Sequence, residues 1–301
     1  MAGLLREVDA ALGRPDGISL VDVGAGRGEL LEAVRAQCAA DPIAERLSLV
    51  GVEIAPRPES LAAEIGWRAE PPDSVTGLLI ANEWLDNVPF DVAQMTDEGW
   101  RIVEVDRTGG ERVGGEPSAE QLAWLAEWWP VSADPDEAAL GQRAEIGLER
   151  DAAWRGAVGR VARGLAVAAD YSHSKADRPV FGTLAGYRAG RECAPIPDGT
   201  CDITAHVALD SCAAAASSAD WTILTNQRSL LRGLRVSGER PPLDLAHTDP
   251  LGYVRALSRA SAAAELTDPA GLGGFGWLIQ AVGCEVPEPL RGLRERGAAP
   301  K

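Results

Sequence analysis

Three glycines spaced one residue apart, Gly24, Gly26 and Gly28, follow a short apolar run and precede an amphipathic segment. Glycine lets the backbone turn sharply between a strand and a helix and approach a ligand at the helix N-terminus. A phosphate-binding P-loop ends in Gly-Lys-Ser/Thr, whereas this chain has Gly28-Glu29-Leu30 at that place. The dinucleotide fingerprint GxGxxG requires a glycine at the position that Glu29 occupies. The spacing therefore disfavours both of these sites, and a tight turn without a ligand is the plain alternative.

The segment from Asp22 to Gly28 resembles the first motif of S-adenosyl-L-methionine (SAM)-dependent methyltransferases, Asp/Glu-x-Gly-x-Gly-x-Gly. The resemblance implies that the glycines admit the methionine half of SAM and that Asp22 lies beside its ammonium group. A carboxylate suits a cation, whereas it would repel the pyrophosphate of a dinucleotide.

A second carboxylate ends the next predicted strand. The run Leu47–Ile54 is apolar without helical periodicity, which predicts a buried parallel strand that carries Glu53 at its tip, about 25 residues after the glycine loop. A carboxylate at this place can accept both ribose hydroxyls of an adenosine. Glu53 would serve NAD equally well, so only the glycine spacing separates the two cofactors.

Apolar runs alternate with helical segments along the chain, which predicts an α/β fold with a doubly wound, mostly parallel sheet. Ligands bind such sheets at the carboxyl ends of their strands. A turn at Thr96–Gly99 predicts a β-hairpin, and an alanine-rich helix is expected over 137–163. We expect a single methyltransferase domain over 1–301 with an inserted helical segment at 106–150. The predicted strands are Leu20–Val23, Leu47–Ile54, Gly66–Ala69, Val75–Ala81, Leu165–Ala169 and Trp221–Gln227.

Polar residues follow two of these strands. Glu83 is a candidate catalytic residue that pairs with a guanidinium or ammonium group, and Asn82 is a candidate that orients the backbone or the nucleophile. Asp170 and Tyr171, with Asp86, are candidate substrate-binding residues. Methyl transfer from a sulfonium needs mainly proximity and alignment, so no larger acid–base set is required. Structural roles stay open, because Glu83 could cap a helix or brace a turn and Asp170 could cap its strand.

The spacing of Asp202 and Thr204 indicates an N-cap for the alanine-rich helix that follows them. This structural interpretation leads for both residues.

The charge balance separates classes of partner. The chain has 45 acidic against 29 basic residues and a net charge of −16, which argues against a nucleic-acid partner and is compatible with a cationic substrate. No apolar run approaches the length of a membrane span, and the N-terminus lacks the pattern of a signal peptide, so we expect a cytoplasmic protein without a membrane partner. The five cysteines are scattered without a CxxC pair, so neither a disulfide framework nor a metal site is expected.

Six segments in order resemble the MidA family of SAM-dependent methyltransferases: VDVGAGRGEL, LLIANEWLDNVPFD, AVAADYSH, GTLAGYR, CDITAHV and TNQRSLL. The family includes a mitochondrial assembly factor of respiratory complex I that resembles a protein-arginine methyltransferase. The resemblance covers nearly the whole chain. It matches Gly24, Gly26 and Gly28 to the cofactor loop, Glu53 to the ribose acid, and Asn82-Glu83 to the motif after the fourth strand.

This resemblance implies a Rossmann-like, seven-stranded methyltransferase sheet with helical and β-hairpin insertions over the active face. It implies SAM as cofactor and N-methylation of an arginine side chain in a protein substrate. A small-molecule acceptor and a non-catalytic assembly factor that keeps the fold are the alternatives.

The chain departs from the family pattern at its beginning. Members carry several dozen residues before the glycine loop, including a segment that helps cover SAM, whereas about 20 residues precede Asp22 in this chain. Either the sequence begins late or the protein is a trimmed relative with weaker cofactor binding, and both explanations stay open.

Overall fold

Short apolar segments such as Ile18–Val23 and Gly276–Val282 form the buried strands of the fold, because a strand buried on both faces needs hydrophobic side chains in both directions. The computed structural model describes residues 1–130, 140–236 and 238–297. Its strands are β1 (Ile18–Val23), β2 (Leu47–Val52), β3 (Gly66–Arg68), β4 (Val75–Asn82), β5 (Asp91–Thr96), β6 (Gly99–Val105), β7 (Glu111–Val113), β8 (Arg143–Ile146), β9 (Val161–Asp170), β10 (Ser172–His173), β11 (Ala185–Arg188), β12 (Arg191–Cys193), β13 (Asp202–Thr204), β14 (Val207–Ala208), β15 (Trp221–Asn226) and β16 (Gly276–Val282).

The helices lie before, between and after these strands. They are α1 (Ala2–Ala11), α2 (Glu29–Cys38), α3 (Ala119–Trp128), α4 (Leu148–Val158), α5 (Leu209–Ala215), α6 (Gln227–Gly233), α7 (Asp244–Thr248), α8 (Pro250–Leu266) and α9 (Glu288–Gly297). Single 3-10 turns occur at Pro42–Arg46, Leu85–Asn87 and Leu272–Gly274.

The chain folds into two compact units. The first comprises Met1–Asn82, Val158–Ala169 and Ser218–Lys301, and the second comprises Glu83–Ala157 and Asp170–Ser217. The insertion predicted at 106–150 contains β7, α3 and β8, while its residues 131–139 lie outside the described part of the chain. The division into one domain with an insertion stays a prediction.

A seven-stranded sheet forms the centre of the first unit, in the order β15-β16-β9-β4-β1-β2-β3. β1 runs parallel to β2 and β4, and β4 runs parallel to β9. The register aligns Val23 with Val52 and Ala81, and Asn82 with Ala169, so the carboxyl ends of these strands lie at one edge of the sheet. The predicted α/β fold is confirmed, and the sheet is mixed because β15 is antiparallel to β16.

Leucines on the helices of the first unit complete its core. Leu4 and Leu5 of α1 and Leu31 of α2 are fully buried in one cluster with Leu78 of β4. Burial of each such side chain contributes roughly 1.5–3 kcal/mol, which holds the helices against the sheet. The sheet edge that carries the glycine loop is thereby fixed to a rigid core.

Smaller antiparallel sheets form the second unit. β7, β6, β5 and β8 form one sheet, and β12, β11 and β13 form another. The predicted hairpin is confirmed, since β5 pairs with β6 from Ala93↔Ile102 to Thr96↔Gly99. Ser118 caps α3 with a capping box, and the Trp124 indole on α3 donates to Asp151 Oδ2 at 2.8 Å.

The helix predicted over 137–163 is wrong over most of its described part. Residues 143–146 form β8, which pairs antiparallel with β5, and the helix is confined to Leu148–Val158 before β9 begins at Val161. Gly147 separates β8 from α4, and a Cβ there would lie 2.7 Å from the Trp124 ring. Cross-strand pairing and this close contact override the alanine-rich helical propensity.

The predicted N-cap at Asp202 and Thr204 is also wrong. Both residues lie in β13, which pairs with β11, and α5 begins only at Leu209 after Ala208. The Thr204 hydroxyl instead donates to Asp86 Oδ2 at 2.8 Å. A long-range hydrogen bond has taken the place of the local one.

Candidate active site

The glycine loop lies at the carboxyl end of β1 and leads into α2. Gly24, Gly26 and Gly28 have φ values of 74°, 56° and 79°, a region that favours glycine. Gly24 N–H donates to Val52 O at 2.9 Å, which ties the loop to the end of β2. A Cβ built on Gly26 meets no atom of the described chain within 4 Å, so open space lies next to this backbone.

Two carboxylates lie beside this loop. Glu53 Oε2 accepts from Gly26 N–H at 3.1 Å, and its Oε1 accepts from Ala55 N–H at 3.0 Å. Asp22 is only 3% exposed, and burial, followed by the negative charge of Glu53, raises the pKa of Asp22 to about 7. Because the negative charge of Glu53 raises the cost of ionising Asp22, a cationic ligand beside the two carboxylates is favoured.

Ile54, beside this pair, is a residue that sequence reasoning missed. Its side chain is 93% exposed, although it directly follows the buried strand β2 and Glu53. The Trp67 ring lies so close to Gly51 of β2 that a Cβ on Gly51 would be 2.5 Å from the ring. The Trp67 indole donates to Ala55 O at 3.1 Å. A single apolar residue after a strand-end acid is a weak signal, because isolated exposed apolar residues are common.

Asn82 and Glu83 are exposed where β4 ends and the chain enters the second unit. Glu83 has a φ of 47°, which is uncommon for a residue with a side chain and costs of order 1–3 kcal/mol. Its main-chain carbonyl accepts from Asn87 Nδ2 at 3.2 Å. Glu83 thus contributes its main chain to the 3-10 turn that follows.

Asp170 and Asp86 are brought together within the second unit. Asp170 is fully buried, and its Oδ2 accepts from the main-chain N–H groups of Leu85 and Asp86 at 3.1 and 3.2 Å. Burial, followed by the nearby Asp86 charge, raises the pKa of Asp170 to about 8. Its Oδ1 is buried without a hydrogen-bond partner in the described residues, so no hydrogen bond at that oxygen offsets the burial that raises the pKa. Asp170 therefore positions the turn that carries Asp86.

The Asp86 carboxylate is held from two sides. Its Oδ1 accepts from Asn87 Nδ2 at 2.7 Å, and its Oδ2 accepts from Thr204 Oγ1 at 2.8 Å. The side chain is therefore fixed in one orientation.

Tyr171 is 40% exposed, and its ring stacks on His206 with centroids 5.6 Å apart. Burial raises the pKa of Tyr171 and lowers the pKa of His206.

Arg150 of α4 joins the segments of the second unit and was not expected. It is 2% exposed, and its guanidinium donates to the carbonyl oxygens of Asp86 and Val88 and, from the other side, of Ala205 and His206 at 2.9–3.3 Å. One of several arginines in an alanine-rich segment gives no sign of such a role. Long-range hydrogen bonds of this kind are visible only in the structure.

Neither a metal centre nor a membrane span is found in the described chain. Across residues 1–130, 140–236 and 238–297, no group of three or more His, Cys, Asp or Glu side chains is arranged to hold a metal ion. In the same part of the chain, no helix is long and apolar enough to cross a membrane.

A family profile matches most of the chain. The family is described as "Putative S-adenosyl-L-methionine-dependent methyltransferase", and its profile covers residues 2–226. No curated protein matches the chain in sequence.

Two solved structures from Burkholderia thailandensis are similar to the chain. A COG1565 superfamily member bound to S-adenosyl-homocysteine has a TM-score of 0.77 and 24% identity over 96% of this chain and 78% of its own. A native structure of a COG1565 superfamily protein has a TM-score of 0.75 and 25% identity over 96% of this chain and 80% of its own.

The family profile covers most of the sequence. The solved structures have the same fold as this chain, including the mixed seven-stranded sheet. The cofactor is SAM, which agrees with the open space at Gly26 and the negative charge of Asp22 and Glu53. The chain therefore belongs to this family of SAM-dependent methyltransferases.

Proposed function

We propose that the chain transfers the methyl group of SAM to a nitrogen atom of a cationic acceptor. The observation that carries this proposal is Glu83, an exposed carboxylate held at a φ of 47° directly after β4, at the ligand-binding edge of the sheet. Backbone strain of this kind concentrates at functional sites. A carboxylate there favours a guanidinium or an ammonium group and disfavours acidic acceptors.

The cofactor site is assigned residue by residue. Gly24, Gly26 and Gly28 admit the methionine half of SAM, Asp22 faces its ammonium group, and Glu53 accepts the ribose hydroxyls. Ile54, exposed beside Glu53, offers an apolar contact for the purine. When bound, SAM would supply a methyl group on a sulfonium; the acceptor nitrogen would lose one proton to solvent, its lone pair would take the methyl group, and S-adenosyl-homocysteine would leave. The protein contributes alignment, since effective concentration is the main requirement of such a step.

Two sources of acceptor are compatible with Glu83. The resemblance to the MidA family supports an arginine side chain of a protein as the first candidate. A small-molecule amine is the second. A cavity of small-molecule size within the second unit favours it, and Asp86 rather than Glu83 lines that cavity. Asn82 orients the acceptor beside Glu83, while Asp86 and Tyr171 are further candidate contacts.

The acceptor is identified by incubating the protein with methyl-labelled SAM and a cell extract that is separated into protein and small-molecule fractions. We expect label in N-methyl groups, with methylarginine after protein hydrolysis for the first candidate and a methylated amine for the second. Label confined to oxygen, sulfur or carbon acceptors would overturn the proposal.

Replacing Glu83 with Gln tests its role with little change in shape. We expect turnover of a cationic acceptor to fall about tenfold or more, because a charge-assisted hydrogen bond contributes roughly 1.5–3 kcal/mol. SAM affinity and melting temperature should stay near those of the parent. Glu127→Gln, which removes another exposed charge on α3, is the matched control. Normal turnover in Glu83→Gln, or loss of stability without loss of turnover, would remove Glu83 from the mechanism.

The raised pKa of Asp22 makes SAM binding pH-dependent. The ammonium group favours ionised Asp22, so affinity should be full above the ligand-free pKa of about 7 and fall as the pH drops below it. Calorimetry in buffers of different ionisation enthalpy should detect release of close to one proton at about pH 6. Asp22→Asn should bind weakly and without this release. Equal proton release in both proteins would contradict the assignment of Asp22.

A further inference from the structure

The second unit contains a cavity of about 710 Å³, which none of the residues assigned to SAM lines. Ligand pockets for small molecules typically measure about 300–1,000 Å³, so a compact organic molecule fits inside. The apolar part of the cavity wall includes Phe90, Val103, Val105, Leu184, Ile196 and Ile203.

One wall of the cavity is a loop that holds its own shape. Ile196 N–H donates to Ala194 O and Asp198 N–H donates to Ile196 O, both at 2.9 Å. Asp198 Oδ1 accepts from Thr200 N–H at 2.9 Å, and Arg188 Nε donates to Thr200 O at 2.9 Å. These bonds hold the loop that forms this wall, which lowers the cost of ordering it when a ligand binds.

The charges along the cavity wall are all negative. Asp86, Asp91 and Glu111 line it, and no lysine or arginine of the described chain is among its lining residues. Glu111 forms an ion pair with Arg143, whose Nη1 lies 3.0 Å from Glu111 Oε1. The charge of Glu111 is thereby compensated. Arg150 does not line the cavity, but it donates to Asp86 O at 2.9 Å and so lies near Asp86, whereas Asp91 is in no ion pair among the described residues. The two aspartates are therefore the carboxylates that a cationic ligand would use, Asp91 foremost.

Both aspartates accept hydrogen bonds from neutral groups. Asp86 accepts from Thr204 Oγ1 at 2.8 Å and from Asn87 Nδ2 at 2.7 Å, and Asp91 Oδ2 accepts from Gln121 Nε2 at 2.7 Å. These bonds orient the carboxylates but carry no positive charge. An apolar cavity with two such carboxylates is complementary to a ligand that has an apolar body and one cationic group.

We propose that this cavity binds a small-molecule amine, whose ring system lies against Val105, Ile196 and Ile203 and whose cationic nitrogen pairs with Asp86 and Asp91. This inference rests on the proposed function in one respect only, namely that the bound amine would be a methyl acceptor. Binding itself requires neither SAM nor turnover, so the two claims are tested separately.

Three probes of matched shape separate charge from fit: tryptamine, its neutral alcohol tryptophol, and the anion indoleacetate. Calorimetry on the full chain without SAM should show tryptamine binding about tenfold or more tightly than tryptophol, because the charged nitrogen adds a charge-assisted hydrogen bond. Indoleacetate should not bind. Equal binding of the three probes, or binding of none, would overturn the proposal.

Two variants locate the binding. Val105→Trp fills the cavity and should weaken tryptamine binding at least tenfold. Val180→Trp is the matched control, because Val180 does not line the cavity and the two valines are similarly exposed, at 53% for Val105 and 51% for Val180. The control should leave tryptamine binding unchanged. Asp91→Asn should remove most of the preference for tryptamine over tryptophol without filling the cavity. Unchanged binding in both Val105→Trp and Asp91→Asn would place the amine elsewhere and overturn the proposal.

Assays with labelled SAM then distinguish this inference from the proposed function. Tryptamine that binds but gains no methyl group leaves the cavity proposal standing and removes this amine as an acceptor. A second outcome combines two results: tryptamine does not bind, and Val105→Trp methylates acceptors from the extract as well as the parent does. This outcome overturns the cavity proposal and leaves the proposed function intact. Displacement of tryptamine by an arginine-containing peptide would assign the cavity to a protein side chain instead.

Discussion

Replacing Gly26 with Val should reduce SAM affinity at least a hundredfold, equivalent to about 2.7 kcal/mol. A side chain on Gly26 enters the open space next to the loop, where no atom of the described chain lies within 4 Å of the added Cβ. In our account the methionine half of SAM occupies that space. Calorimetric titration of SAM into the variant measures the loss.

The φ of 56° at Gly26 also makes any side chain costly, by roughly 1–2 kcal/mol. Gly13→Val is the matched control, because Gly13 has a φ of 78° and equally open surroundings in the turn after α1. Both variants should lose similar thermal stability, and only Gly26→Val should lose SAM binding. Equal SAM affinity in the two variants would contradict the placement of the cofactor.

Replacing Arg150 with Ala should lower the free energy of unfolding of the second unit by about 3–5 kcal/mol. The change leaves the carbonyl oxygens of Asp86, Val88, Ala205 and His206 without their donor. It also removes the guanidinium that lies 4.1 Å from the Phe90 ring centroid. Denaturant unfolding followed by tryptophan fluorescence reports the change.

Arg155→Ala on the same helix is the control, since Arg155 is exposed. Its effect should stay within about 0.5 kcal/mol, as is usual for surface substitutions. Arg150→Lys should recover only part of the loss, because an ammonium group lacks the planar fork of donors. A similar stability for Arg150→Ala and Arg155→Ala would show that the buried guanidinium does not hold the unit together.

The elements that sequence predicts well depend on local pattern. The glycine spacing from Gly24 to Gly28 predicts the turn between β1 and α2, and the apolar run that precedes Glu53 predicts β2. Both are fixed by residues adjacent in sequence, so tertiary contacts need only stabilise them. β16 has no counterpart among the predicted strands, although Gly276–Val282 is a buried run of the same kind.

The rest depends on contacts between distant residues. Thr204 resembles an N-cap in sequence, yet its hydroxyl donates to Asp86, which lies 118 positions away. Asp170 is a candidate substrate-binding residue in sequence, and only the structure shows that its carboxyl group is buried and accepts hydrogen bonds from the main chain of Leu85 and Asp86. Arg150 gives no local signal at all. The linear sequence identifies candidate polar residues but not which of them support others.

Titration of SAM into the purified chain, with NAD as the competing ligand, tests whether the glycine loop binds SAM. We predict saturable binding of one SAM per chain in the micromolar range, unaffected by NAD and lost in Gly26→Val. Binding of NAD in place of SAM, or SAM binding that Gly26→Val leaves unchanged, would contradict the account.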